Sequence, residues 1–146
     1  MKQVKGSIWE CTESHDSYIV IPTNGFIRKD GLAVMGRGLA VTAANKYAGL
    51  AGELGRHLKS FGNHVFKYDP YNVITFPVKH NWWEDADLTL IDQSMRELIA
   101  MLPTIPEECK IYMPRVGCGN GRLNWPDVKP VLEKHWDERV IIVYIR

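Results

Sequence analysis

Cysteine is scarce and unpatterned in this chain. Cys11, Cys109 and Cys118 are an odd number and form no C-x-x-C pair. That argues against a disulfide framework and a zinc knuckle, and for a reduced, intracellular and cytoplasmic setting. Long apolar runs are missing too: nothing approaches the roughly 18 residues of a membrane helix. The opening Met1-Lys2-Gln3-Val4-Lys5-Gly6 lacks the apolar region of a signal peptide. An excess of charge is also absent. The formal net charge is +1, so no global field holds a long polyanion, and any anion has to be held by local geometry. His15, His57, His64 and His135 show no ligand spacing, so no metal is assigned, and no cofactor is called for. No repeat, low-complexity tract or linker divides the chain, and residues 1–146 are expected to form one domain.

What is present suits one sizeable core. Apolar residues make up 45% and charged residues 24%, ordinary for a globular protein. The organising stretch runs from Met113 to Trp125 and carries Gly117, Gly119 and Gly121 between an apolar run and a helical pattern. Gly31 to Ala40, with Gly36 and Gly38, repeats that design earlier. A strand, a glycine bend and a helix start together form an anion site, because N–H groups approach phosphate oxygens and the helix dipole favours negative charge. An ordinary strand-to-helix turn uses the same residue types.

Taken in order, Val4 to Trp9 reads as a short strand and Cys11 to Asp16 as a loop. Tyr18 to Ile21 is a strand buried on both faces and ended by Pro22. Thr23 to Gly31 reads as an exposed loop, and helices follow from Gly38 to Tyr47 and Leu50 to Leu58. His64 to Tyr68 and Asn72 to Phe76 are strands, the second stopped by Pro77. Leu88, Ile91, Met95, Leu98, Ile99 and Leu102 recur at helical spacing, with Asp87 as N-cap and Pro103 at the close. Lys110 to Met113 is a strand, Trp125 to Trp136 a helix, and Val140 to Ile145 the last strand. This order predicts an α/β fold: a mixed, mainly parallel sheet covered by helices in three layers. Ligands of such sheets sit at the carboxyl ends of strands. Thr23 to Gly38, Pro77 to Asp85 and Pro114 to Trp125 are therefore expected to converge on one cleft.

Three stretches resemble the macro domain family, in the family's order: Pro22-Thr23-Asn24 with Gly31-x-x-Val34-Met35-Gly36-Arg37-Gly38-Leu39-Ala40; Phe76-Pro77-Val78-Lys79-His80-Asn81-Trp82; and Pro114 to Trp125. With the element order, the resemblance covers nearly the whole chain. It is similar to the DNA ADP-ribosyl glycohydrolases, and also to the terminal ADP-ribose protein glycohydrolases, which act on ester-linked ADP-ribose. The resemblance implies a three-layer α/β/α sandwich that binds ADP-ribose or an ADP-ribosylated substrate, a nucleic acid base or a protein carboxylate, and removes the ADP-ribose. It implies that Asn24 orients the distal ribose and that Lys79 is catalytic. The diphosphate would be wrapped by Val34, Met35, Gly36, Arg37 and Gly38 on one side. Arg115, Val116, Gly117, Cys118, Gly119, Asn120, Gly121 and Arg122 would enclose it on the other. Two departures stand out. Gly121 occupies a place where protein-directed relatives commonly carry aspartate, as DNA-directed ones do not. Many macro domains read adenine with the aspartate of Gly-Asp-Ile; here Gly6-Ser7-Ile8 makes Ser7 and Ile8 the counterparts, without the charge. The resemblance also suggests reversal of DNA damage or of a toxin.

The chemistry of these residues stands beside plainer alternatives. A partly desolvated Lys79 at a strand end would have a lowered pKa and act as base or nucleophile; otherwise it is a solvated lysine. Diphosphate oxygens and Asn24 would stabilise an oxocarbenium-like state at the ribose anomeric carbon. Arg37, Arg115 and Arg122 either meet phosphate or serve as solvated or ion-paired arginines. Trp82 and Trp83 either stack on a base or pack on the sheet edge, and His80 is a substrate contact or an exposed loop residue. Cys118 reads as packing, since no base stands near it in sequence. Two rival functions remain: a non-catalytic binder of ADP-ribose or a related nucleotide, and a phosphatase acting on ADP-ribose 1″-phosphate.

Overall fold

The computed structural model describes residues 1–13 and 16–145. His15, set aside above, and Ser14 in the expected Cys11 to Asp16 loop lie outside them. Among the described residues six strands form one sheet: β1 (Lys2–Lys5), β2 (Ser17–Asn24), β3 (Phe66–Tyr68), β4 (Val73–Lys79), β5 (Lys110–Met113) and β6 (Val140–Tyr144). The helices are α1 (Ile8–Cys11), α2 (Gly38–Lys46), α3 (Leu50–Phe61), α4 (Leu88–Met101) and α5 (Trp125–Glu133). The spatial order is β1-β6-β5-β2-β4-β3, with only the β3–β4 pair antiparallel. No described helix is long and apolar enough to cross a membrane.

Strands lacking polar alternation are sandwiched between two cores. Val20, Ile74, Phe76, Ile111, Met113, Val140 and Ile142 face one side with Ile91, Met95 and Leu98 of α4 and Val128 and Leu132 of α5. Ile19, Ile21, Val73 and Val143 face the other with Ala43 of α2 and Leu50, Leu54 and Leu58 of α3. Successive side chains of a strand point to opposite faces, so an unbroken apolar run feeds both cores at once. Asp87 caps α4 as expected, its carboxylate accepting the Thr89 N–H at 2.9 Å.

Several boundaries differ from the sequence reading. The expected strand from Val4 to Trp9 is two elements: β1 ends at Lys5, Gly6 turns with φ +154°, and Ile8–Cys11 is a short helix. The helix expected to reach Trp136 ends at Glu133. Neither Pro22 nor Pro77 ends its strand. The Ile19 N–H bonds the carbonyl of Asn72, just ahead of β4, so Pro22, three residues on, turns its missing N–H the other way. Pairing with β5 has already ceased there, at Ile19↔Tyr112. Pro77 likewise lies beyond the last β3 pairing, Phe66↔Thr75. Proline is tolerated where the ladder has no partner to lose.

Those two extensions set up the site. Thr23 pairs with Pro77, but Asn24 pairs with Lys79, leaving Val78 as an extra residue in β4. This bulge changes which face the last residue of β4 presents. The expected exposed loop after Thr23 is also more ordered than its composition suggests. Thr23 is buried, Ile27 bridges Ala33, and the Ala33 N–H bonds the Ala51 carbonyl of α3 at 3.0 Å. Only residues 28–31 at its tip are exposed.

Candidate active site

β2 is the strand at which the winding reverses: the chain builds outward to β4 on one side and to β5 and β6 on the other. Such a reversal leaves a crevice above the carboxyl ends of the strands. A cavity of about 490 Å³ lies there, lined by Asn24 and Lys79 and by Gly36, Arg37 and Gly38. Arg115, Gly117, Gly119, Asn120 and Gly121 also line it, so the three predicted loops do converge. Pro22, Thr23, Leu39, Ala40, Val78, Trp82 and Pro114 complete the wall. The size falls within the range of small-molecule sites.

The floor at the β2–β4 end is fixed by its own hydrogen bonds. Asn24 Oδ1 accepts the Phe26 N–H at 2.9 Å, and Nδ2 donates to the Val34 carbonyl at 3.1 Å. Both ends of the amide are thereby assigned, leaving one N–H and one oxygen lone pair for other partners. The Gly25 N–H bonds the His80 carbonyl at 3.1 Å, and Asn63 Nδ2 donates to the Lys79 carbonyl at 3.0 Å. Asn63 is a residue that sequence reasoning missed, and its polar character inside a helix-to-strand loop gave no signal. Lys79 Nζ donates to the Trp82 carbonyl at 3.4 Å. Burial, then the charges of Arg122 and Arg37, pull its ammonium below the ordinary lysine value; Asp85 opposes them.

Among the described residues, unpaired backbone donors lie in two segments of an otherwise largely apolar wall. At the start of α2, the N–H groups of Gly38, Leu39 and Ala40 precede the first helical bond, from Val41 to Arg37 at 3.4 Å. In the facing loop the carbonyls are turned inward: Gly117 accepts Leu123 N–H at 2.9 Å, and Gly121 accepts Ala86 N–H at 2.9 Å. Among the described residues, the N–H groups of Gly119, Asn120 and Gly121 make no backbone hydrogen bond. No aspartate or glutamate among the described residues lines the cavity. An anion is the ligand such a lining suits.

Gly121 has no room for a side chain. A Cβ there would lie 2.5 Å from the Gly117 carbonyl oxygen and 2.8 Å from Ala86 Cβ. An aspartate at this position is thus sterically excluded in this loop conformation. Gly117, at φ +77°, would bring a Cβ within 2.9 Å of Ile91.

Other residues named from the sequence stand apart from the cavity. Ile8 and Met35 are buried in the core beneath α2 and α3, and Val116 in the core beneath α4 and α5. Ser7 precedes α1 and is outside the lining. Cys118 turns its thiol to the Val116 carbonyl at 3.5 Å, and burial raises its pKa, so it packs rather than attacks. Arg122, at φ +65°, pairs with Asp85 at 3.6 Å and lines a smaller annex of about 230 Å³. Arg37, Lys79, Trp82, Trp83, Glu84 and Asn120 line the same annex. Trp82 and Trp83 are 47% and 57% exposed, too open to serve mainly as core. His80 points away, to the Asp87 carboxylate at 2.9 Å. Among the described residues no cluster suits a metal ion.

The architecture defines a macro domain fold. No protein-family model matches the chain. Among solved structures, the macrodomain of Thermus aquaticus DarG superposes with a TM-score of 0.77 at 20% identity, covering 99% of this chain and 97% of that one. The macrodomain of Mycobacterium tuberculosis DarG gives 0.76 at 23% identity, covering 97% and 96%. Thermosipho africanus DarTG in complex with ADP-ribose gives 0.74 at 18%, covering 99% of this chain and 42% of that one. In sequence, the chain is similar to the DNA ADP-ribosyl glycohydrolase of Thermus aquaticus, 26% identical over 76 residues, and of Mycobacterium tuberculosis, 33% identical over 60 residues. Those matches cover 48% and 41% of this chain but only 21% and 17% of the relatives' own lengths.

Proposed function

We propose that this chain binds ADP-ribose and hydrolyses the bond between its distal ribose and a carrier, and that the carrier is a nucleic acid base. The observation that carries the reading is the β4 bulge, which sets Lys79 level with Asn24 at one end of a cavity that backbone N–H groups approach from two sides. The diphosphate fits between the start of α2 and the Gly117–Gly121 loop, where N–H groups lie unused. That leaves the distal ribose over Asn24 and Lys79. The free N–H of Asn24 donates to a ribose hydroxyl, and the neutral Lys79 amine meets the anomeric carbon or the water attacking it. Either role needs the deprotonated amine, and burial with two nearby arginines favours that form. Positive charge growing on the ribose is offset by the adjacent diphosphate oxygens. The bond to the carrier breaks, and water supplies the hydroxyl of free ADP-ribose and the proton of the released carrier.

The annex supports a nucleic acid carrier. It opens from the Lys79 end and combines Arg37 and Arg122 with two exposed tryptophans. Cations beside aromatic faces suit a base and its phosphates. The steric exclusion of an acidic residue at Gly121 points the same way. The names of the sequence relatives agree with it.

Product analysis tests the reading. Wild type and Lys79→Ala are incubated with ADP-ribosylated single-stranded DNA and with ADP-ribosylated protein. Release of ADP-ribose from DNA by wild type, lost in a variant that still binds ADP-ribose, is expected. Equal turnover by the variant overturns the role of Lys79. Release from protein alone overturns the carrier. Binding without release from either conjugate makes the chain a reader rather than an enzyme.

A further inference from the structure

The annex adjoins the cavity where the proposed pose sets the scissile bond. Arg37, Lys79, Trp82 and Asn120 line both chambers, whereas Trp83, Glu84 and Arg122 line the annex alone. A group leaving the anomeric carbon at Lys79 has the annex beside it, and the residues found only there meet the carrier without meeting ADP-ribose. The β4–α4 connection delivers Trp83. The Glu84 N–H bonds the Asn81 carbonyl at 3.2 Å, which puts Trp82 and Trp83 at the middle positions of a turn. Backbone preference fills such positions with glycine, proline, asparagine or aspartate, so turn chemistry does not account for the tryptophans. The core does not account for Trp83 either, since its side chain stands largely in the open.

The Trp83 ring is nonetheless held. It meets Trp82 with ring centres 5.5 Å apart at 89°, and Phe26 at 5.4 Å and 70°. Phe26 belongs to the loop that the Ile27–Ala33 bridge closes. The residue ahead of the turn, His80, is tied to Gly25 through its carbonyl and to Asp87 through its ring. An aromatic plane fixed before binding loses little freedom when a ligand settles on it. Its faces are also not taken by a cation. Tyr144 and Trp125 are engaged by the Arg115 guanidinium, 4.2 and 5.1 Å from their ring centres. Among the described residues no cation lies over Trp82 or Trp83. Arg37 has no ion-pair partner among the described residues, and Arg122 has only the long, solvated contact with Asp85. A fixed, open indole with guanidinium groups on the same wall suits a planar base with phosphate beside it.

We infer that Trp83 is the stacking platform for the carrier base, a residue that determines which carriers are cleaved without contributing to ADP-ribose affinity. The inference rests on the function proposed above. Steady-state cleavage of an ADP-ribosylated mononucleotide and of an ADP-ribosylated oligonucleotide, with ADP-ribose calorimetry alongside, tests it. Trp83→Leu, apolar but without a ring, is expected to raise KM for both conjugates about tenfold or more, with kcat and ADP-ribose affinity within about twofold of wild type. Trp83→Phe, which restores an aromatic face, is expected to recover most of that loss. An unchanged KM in Trp83→Leu overturns the inference, while wild-type turnover leaves the proposed function standing. Trp83→Phe no better than Trp83→Leu overturns the stacking role. A loss confined to the oligonucleotide overturns the inference too, because the ring then touches a neighbouring base and not the carrier. So does a fall in kcat alone, or in ADP-ribose affinity in step with the rise in KM, because the ring then acts on Lys79 or on ADP-ribose. No cleavage of either conjugate by wild type overturns the proposed function, and this inference with it.

Discussion

The two glycine-rich segments look alike in sequence and do different work in the fold. In the first, a Cβ at Gly36 would meet nothing within 4 Å, and at Gly38 only the Asn120 amide at 3.2 Å. These glycines keep space and N–H groups open toward the cavity. In the second, Gly117 and Gly121 are closed in by Ile91, Ala86 and the loop's own backbone; only Gly119 faces open space. Those glycines let the loop press onto α4 while its carbonyls turn inward. One segment is glycine-rich beside the open cavity, the other largely for the core beneath it.

The largest test of that difference is Gly121→Ala. Its Cβ overlaps backbone, which cannot yield as a side chain does, and a loss of about 1–3 kcal/mol is expected in chemical denaturation. ADP-ribose binding should fall with it. Gly36→Ala should separate the two effects: stability within about 0.5 kcal/mol of wild type, but weaker ADP-ribose binding by calorimetry, because the methyl intrudes on the cavity. Comparable destabilisation by both substitutions would erase the distinction.

A finer test uses the arginine each segment contributes. Arg122 and Arg37 both depress the Lys79 pKa, Arg122 more. With the neutral amine as the active form, turnover rises with pH as Lys79 loses its proton. Arg122→Gln should move that rise to higher pH, and Arg37→Gln should move it less. A shift to lower pH in either variant would contradict the electrostatic account. The smallest effect is expected at the tip of the first segment. Arg28 and Asp30 pair at 2.9 Å while largely solvated. Asp30→Ala should cost less than about 1 kcal/mol and leave ADP-ribose binding unchanged.

Much of this was legible in the chain. The unbroken apolar runs at Tyr18–Ile21 and Val140–Ile145 implied a sheet covered on both sides, and α4 with its Asp87 cap could be read from spacing alone. The three motif stretches named loops that do meet over one cavity. Other features were not legible. Pro22 and Pro77 looked like strand ends because a proline's effect depends on whether a neighbour needs its N–H, and neighbours belong to the sheet rather than to the string. Met35, Val116 and Cys118 lie within the motifs, yet the direction of each side chain depends on how the loop is seated.

The sequence by itself determined the layers, the mainly parallel sheet and the glycine bends that follow its strands. Periodicity and local backbone preference are carried by near neighbours, so they survive in one dimension. Tertiary structure alone decided the register of β4 against β2, the extra residue at Val78 and hence the pairing of Lys79 with Asn24. It also decided which arginine finds a carboxylate and which is left between two aromatic rings. Register and charge pairing depend on which distant groups compete for the same space, and only the folded chain settles that competition.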